Sequence, residues 1–90
     1  MSNVNEILVE RGSRYGVFTK HAAITQDLKN LMRGVDNWHH RLDDDQREAL
    51  DMIAHKIGRI LNGDPNYADS WIDIAGYSQL IVRRLEGDPV

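Results

Sequence analysis

Apolar residues recur along this chain at steps of three and four, the spacing of one face of an α-helix, rather than in the alternation of a half-buried strand. Four helical segments are predicted. The first runs from about Val4 to Arg11, with Val4, Ile7 and Leu8 on one side behind the candidate caps Ser2 and Asn3. Gly12 and Gly16 then bracket a loop, Ser13-Arg14-Tyr15. The second runs from about Val17 to Met32, where Phe18, Ala22, Leu28, Leu31 and Met32 repeat at helical spacing and Gly34 supplies the stop. Val35 to Leu42 reads as a connection.

The third segment, about Asp44 to Leu61, opens on Asp43-Asp44-Asp45, acids at the positive end of the helix dipole, and Asp45 with Glu48 has the spacing of a capping box. Leu50, Ile53, Ile57, Ile60 and Leu61 form its apolar face, opposite Glu48, Asp51, His55 and Arg59. Asn62-Gly63 reads as a left-handed C-cap. Asp64 and Pro65 have the chemistry of an N-cap and a first helical residue for the fourth segment, about Pro65 to Leu85. Trp71, Ile74, Ala75, Ser78, Ile81, Val82 and Leu85 share its inner face, Asp69, Asp73 and Tyr77 lie on the other, and Gly87 and Pro89 terminate it. The expected fold is all-α, a small three- to four-helix bundle forming a single domain over residues 1–90.

Composition adds exclusions. Ninety residues make one small core of marginal stability, and with no cysteine for a disulfide or a zinc site the remaining staple is assembly into a homo-oligomer. No apolar run approaches the ~20 residues of a membrane span, and the start Met1-Ser2-Asn3-Val4-Asn5-Glu6 lacks the basic and apolar regions of a signal peptide, so a cytoplasmic location is expected. A net charge of −3 disfavours a nucleic-acid polymer as partner, because binding to a phosphate backbone needs a basic face. A small anion needs only a local cluster of cations.

Two such clusters stand out. Lys56, Arg59, Asn66, Tyr67, Asp69, Asp73 and Tyr77 span the end of the third segment and the outer stripe of the fourth. A short connection makes the two helices antiparallel neighbours, so these groups can converge. Asp69 and Asp73, four residues apart, repel each other unless Lys56 and Arg59 neutralise them across the helix pair, or a cation or ligand donors lie between them. Adding Glu48 and Asp51 gives four carboxylates on two helices, the layout that holds Mg²⁺ for pyrophosphate chemistry, although Glu48 also serves the cap and Asp51 also suits His55. The second cluster is Arg11-Gly12-Ser13-Arg14-Tyr15-Gly16 followed by Lys20 and His21. Arg14 can grip phosphate in a fork, Tyr15 offers a flat face to a base or ribose, and Lys20 and His21 stand one turn on, near a helix N-terminus. A helix-to-helix corner with solvated basic groups fits the same residues. His39-His40 lacks the spacing of a helical metal pair, and Trp38 and Trp71 read as core or interface anchors.

Glu10-Arg11-Gly12-Ser13-Arg14-Tyr15-Gly16, taken with the run from Glu48 through His55-Lys56-Ile57-Gly58-Arg59 and Asn62-Gly63-Asp64-Pro65-Asn66-Tyr67 to Asp69-Ser70-Trp71-Ile72-Asp73-Ile74-Ala75-Gly76-Tyr77, resembles a family of short bacteriophage and prophage helical proteins of unassigned function. More distantly it is similar to the nucleotide-modification-associated helical domains of phages, which share the RYG-like loop, the Lys-x-x-Arg step and the Asp-x-x-x-Asp-x-x-x-Tyr helix. The resemblance implies a phage protein handling a nucleotide-type small molecule. By analogy with compact helical sponges, it would bind and sequester a cyclic-nucleotide or cyclic ADP-ribose type immune signal, without chemistry or cofactor, in a pocket between subunits. The expected ligand-binding residues are Arg14, Tyr15, Lys20, His21, Lys56, Arg59, Asn66, Tyr67, Asp69 and Asp73, with no resident metal. Two alternatives stand beside this one: a Mg²⁺-dependent nucleotide pyrophosphohydrolase, and an inhibitor binding a host protein through Trp38, His39 and His40. The all-helical pyrophosphohydrolases pair a Glu-x-x-Glu helix with a Glu-x-x-Asp helix, whereas this chain has Glu48-x-x-Asp51 and the longer step from Asp69 to Asp73.

Overall fold

The computed structural model describes residues 3–90 and is all-helical among them, with helices α1 (Val4–Tyr15), α2 (Phe18–Arg33), α3 (Asp36–His40), α4 (Asp44–Asn62) and α5 (Ala68–Leu85). None of the described helices is long and apolar enough to cross a membrane. The four expected segments correspond to α1, α2, α4 and α5. The connection from Val35 to Leu42 contains the single turn of α3, whose Trp38 is buried and whose backbone is clamped by Arg47, which donates to the carbonyls of Trp38 (3.0 Å) and Leu42 (2.7 Å).

α4 is the central element. α2 packs on one side and α5 on another, and α1 meets α4 and α2 at an edge without burying any residue of its own. The expected division of α4 into an apolar and a polar face does not hold: neighbours on two sides leave both faces half-buried, including Asp51, His55 and Arg59, while Leu61 is exposed. The residues buried most deeply along α4 are the small ones, Ala49, Ala54 and Gly58. Gly58 has a specific reason to lack a side chain. The α2 side chains of His21 and Thr25, both buried, lie directly over it, and a Cβ there would collide with Thr25 Oγ1 and press on the His21 ring. His21 Nε2–H donates to the His55 carbonyl (3.0 Å), so this crossing is closed by a hydrogen bond as well as by contact.

α4 and α5 form an antiparallel pair held by two ionic contacts. Lys56 Nζ meets Asp73 Oδ2 at 2.8 Å near the middle, and at the far end Arg84 forks onto Asp45 (Nε and Nη2, both 2.6 Å) and reaches Asp43 (3.1 Å). The Arg84 guanidinium holds the Asp45 carboxyl below its usual range. These contacts set the rotation of α5, which packs Ser70, Asp73, Ile74, Tyr77, Ile81 and Arg84 inward. The expected inner stripe is therefore corrected: Trp71, Ala75, Ser78, Val82 and Leu85 are exposed, and the supposedly outer Asp73 and Tyr77 are partly covered.

Other corrections concern helix ends. α1 continues through Ser13-Arg14-Tyr15, so that stretch is its last turn instead of a loop; Gly12 is tolerated inside it, and the chain turns at Gly16, whose φ of 79° suits glycine. Asn3 caps α1 by accepting from Glu6 N–H (2.8 Å), whereas Ser2 lies outside the described residues. The capping box of α4 joins Asp43 to Gln46, two residues earlier than predicted, with Asp43 N–H donating to Gln46 Oε1 (2.8 Å); Asp45 is engaged by Arg84. Asp64-Pro65 does not start α5. Asp64 Oδ1 accepts from Asn66 N–H (2.9 Å) in a local turn, and the helix begins at Ala68 behind Tyr67. Gly63 is not left-handed (φ −130°); it is small because the end of α1 passes against it.

Gly58→Ala is expected to destabilise the fold by about 1–3 kcal/mol, because His21 and Thr25 must retreat from the new methyl group. Gly12→Ala, where a Cβ meets nothing within 4 Å, is expected to stabilise by about 0.5–1 kcal/mol. Urea denaturation of the two variants checks both signs.

Candidate functional site

The end of α1 is fastened to the end of α4 by polar contacts with the backbone. Asn62 Nδ2 donates to the carbonyls of Tyr15 (3.0 Å) and Val17 (2.9 Å), and Asp64 N–H donates to the Arg14 carbonyl (2.7 Å). Gly63 lies so close to Arg14 and Tyr15 that no Cβ fits there. This latch places two arginines and two tyrosines from three parts of the chain side by side. The Arg14 guanidinium lies over the Tyr67 ring at 4.2 Å from its centroid, and that of Arg59 over the Tyr15 ring at 4.1 Å. The two rings meet edge to face, with centroids 6.1 Å apart. Each stacked pair contributes roughly 0.5–1 kcal/mol at a partly exposed site.

Two cavities flank the stack. One, of about 350 Å³, is bordered by Arg11, Arg14, Arg59, Tyr15, Tyr67 and Glu10. Glu10 is the one carboxylate on this border, and its oxygen is 4.0 Å from Arg14 Nε, so cations outnumber anions three to one. The other, of about 530 Å³, is more apolar, with Leu8, Val17 and Phe18 at its lip and His21 and His55 lining it. Arg11, Tyr15 and Arg59 border both, so a single ligand can span them.

The ten residues expected to bind ligand are only partly gathered here. Arg14, Tyr15, Arg59 and Tyr67 form the stack, and His21 lines the adjoining cavity with its Nε2 turned to the His55 carbonyl. Asp69 adjoins the stack indirectly by accepting from the Tyr67 hydroxyl (2.9 Å), a bond that raises the Tyr67 pKa above its ordinary value. Lys56 and Asp73 pair with each other between α4 and α5. Lys20 and Asn66 are exposed and border neither cavity. Asp69 and Asp73 are thus engaged by different partners, Tyr67 and Lys56, and among the described residues no three His, Asp or Glu side chains converge on a metal position. Glu48, Asp51, Asp69 and Asp73 do not assemble a four-carboxylate centre; Asp51 instead faces Arg33 at 3.5 Å.

Sequence reasoning left Arg11, His55 and Phe18 outside the expected site, and all three line the cavities. The signal for Arg11 was available: with α1 extended to Tyr15, Arg11 and Arg14 stand three apart on one face. His55 is held in an unusual state. Burial, together with the positive charge of Arg59, the nearby His21, Lys56 and Lys29, lowers its pKa from 6.5 to about 4. Comparison with family models, with curated proteins and with solved structures gives no match.

The His55 shift fixes a sign. The unfolded chain binds a proton at His55 near pH 6.5 and the folded chain only near 4, so stability is lost as pH falls through that window. Thermal melts from pH 7 to pH 4.5 are expected to fall more steeply for the natural chain than for His55→Gln. Asn62→Ala, which strips the Tyr15 and Val17 carbonyls of their donor, is expected to cost about 1–3 kcal/mol in urea denaturation.

Proposed function

We propose that this chain binds a phosphate-bearing, nucleotide-type small molecule at the arginine and tyrosine stack and withholds it without altering it. The supporting observation is the pairing of an arginine-rich cavity with an apolar one across shared residues. Arg11, Arg14 and Arg59 stand against a single carboxylate, an excess that an anion would relieve. A cation held over a ring face does not spend its N–H donors on the ring, so the contacts with Tyr67 and Tyr15 place Arg14 and Arg59 while leaving donors for a phosphate fork. The neighbouring cavity offers Phe18, Leu8 and the neutral His55 ring to a base or ribose. Together the two fall within the range of small-molecule sites.

The resemblance to short phage proteins supports a role for that binding: an anti-defence protein sequestering a cyclic-nucleotide or cyclic ADP-ribose type signal in the host cytoplasm. Sequestration suits the side chains better than hydrolysis, because the carboxylates that would carry Mg²⁺ are engaged elsewhere, Asp51 by Arg33, Asp73 by Lys56 and Asp69 by Tyr67.

Titration calorimetry of the purified chain against cyclic dinucleotides and cyclic ADP-ribose isomers tests the reading. Binding is expected, weakening with added salt, with the ligand recovered intact after denaturation. Arg59→Ala and Arg14→Ala are each expected to weaken it about tenfold or more, and Arg59→Lys to restore little, because an ammonium neither stacks nor forks. Recovery of a cleaved product would replace sequestration with hydrolysis, and the absence of heat with every nucleotide would overturn the reading.

A further inference from the structure

We infer that His21 selects the ring of the ligand: its Nδ1 opens into the larger cavity as a fixed hydrogen-bond acceptor and takes an exocyclic amino group of a nucleotide base. The inference rests on the binding proposed above and assigns the chemistry of its apolar half.

It begins from a tautomer that the fold imposes. The His55 carbonyl, 3.0 Å from His21 Nε2, can only accept, so the proton of the neutral imidazole sits on Nε2. The Thr25 hydroxyl lies 3.3 Å from the same nitrogen, and the ring is seated against Gly58, where no side chain intervenes. A ring flip would forfeit the bond to the His55 carbonyl. The lone pair of the imidazole is therefore carried by Nδ1.

Nδ1 has no hydrogen-bond partner among the described residues, although His21 is only 5% exposed. No fully enclosed side-chain nitrogen or oxygen among those residues lacks a partner, so Nδ1 keeps an opening. That opening lies in the cavity of about 530 Å³ that His21 lines; the residue does not border the arginine-rich one.

The remaining wall decides which donor fits. The side chains of Leu8, Val17 and Phe18 offer no hydrogen bond, and no Asp or Glu lines the cavity. Arg11 and Arg59 bring donors alone, and the Tyr15 and Val17 carbonyls already accept from Asn62. Besides Nδ1, the side-chain lone pairs belong to the Tyr15 hydroxyl and the His55 ring, each of which can present a proton instead. An exocyclic amino group projects beyond its ring and can reach a recessed nitrogen. An imide N–H lies flush with its ring beside a carbonyl oxygen, whose lone pairs would then press against the apolar wall. A ring without the amino group leaves Nδ1 covered and unpaired, and a site is most selective when the wrong ligand strands one of its polar groups.

Two pairs of 5′-monophosphates that differ only by the amino group test the inference: adenosine against purine riboside, and guanosine against inosine. Calorimetry is carried to roughly 10 mM nucleotide so that weak binding is still read. In the tighter-binding pair the amino member is expected to bind about tenfold more tightly. His21→Gln can still donate to the His55 carbonyl but has no nitrogen at the Nδ1 position. It is expected to shrink that difference to about twofold or less, with affinity for ribose 5-phosphate unchanged. Nitrogen-15 NMR of the natural chain at pH 8, above the ordinary imidazole range, needs no variant. His21 is expected to be protonated at Nε2 alone, and its Nδ1 resonance to move when the amino member binds and not when its counterpart does. Equal affinities within both pairs, alongside measurable binding, would refute the role of His21 and leave the binding site standing. So would a proton on Nδ1, or a difference that survives His21→Gln. Binding by none of the four nucleotides removes the site and the inference together.

Discussion

Neighbours must come nearer to α4 than a side chain would allow, and most of the structure follows from that requirement. At Gly58 the side chains of His21 and Thr25 occupy the volume that a Cβ would take, which fixes the depth at which α2 crosses α4. At Gly63 the backbone of Arg14 and Tyr15 does the same, which fixes where α1 ends. Both contacts exchange bulk for proximity, and proximity makes hydrogen bonds possible: His21 to the His55 carbonyl, and Asn62 to the carbonyls of Tyr15 and Val17. A core built this way is thin. Trp38 is the one large apolar residue buried among the described residues, and no large side chain is fully enclosed. Specific polar contacts at close range therefore carry part of what volume-filling residues carry in larger domains.

The same economy explains why the arginines gather. Arg14 and Tyr15 reach the site because the last turn of α1 is held by its backbone, leaving their side chains to the stack and, for Arg14, a 4.0 Å contact with Glu10. Arg59 comes from α4 one turn before Asn62, and Tyr67 from the turn that follows, so the latch and the stack belong to one stretch of chain. Lys56, one turn earlier on α4, has the opposite fate: with its side chain 11% exposed and its ammonium on Asp73, it is a structural cation between helices. Two basic residues three apart on α4 are thus divided between folding and the cavity by which neighbour each one faces.

The helices were legible in the sequence because periodicity and glycine stops depend on local geometry. So was the nearness of Arg59 and Tyr67, since a short turn after Asn62 leaves few alternatives, whereas Tyr15 read as part of a separate cluster and joins them through Asn62. Three features were not legible, for different reasons. Asp43, Asp44 and Asp45 compete for one cap, and the choice of Asp43 depends on Arg84, 39 residues away from Asp45. Gly63 has the sequence signature of a left-handed terminus, but its small size serves a contact with α1 that no local pattern encodes. On α5 the apolar stripe is wider than the contact with α4, and Ile74 and Ile81 belong to both the expected face and the observed one. Hydrophobic spacing identifies such a stripe but not which edge of it turns inward; here the ion pairs at Asp73 and Arg84 decide.

His55 connects the electrostatics of the cluster to the stability of the fold. Its low pKa arises first from burial and next from Arg59, one turn further along α4 and itself stacked on Tyr15. Arg59, which borders the cavity together with Arg11 and Arg14, therefore also helps burial keep this imidazole neutral, and charges of like sign gathered at one border repel one another. An anion of the kind proposed, seated among Arg11, Arg14 and Arg59, would act against both effects: it would offset the repulsion and weaken the positive field that disfavours a proton on His55. Under the proposed function, binding and protonation would be linked, each favouring the other, through one shared arginine. The positive charge near the end of α4 that disfavours a proton on His55 is thereby the same charge that the proposed phosphate would meet, and the Asn62 latch holds the last turn of α1 beside it.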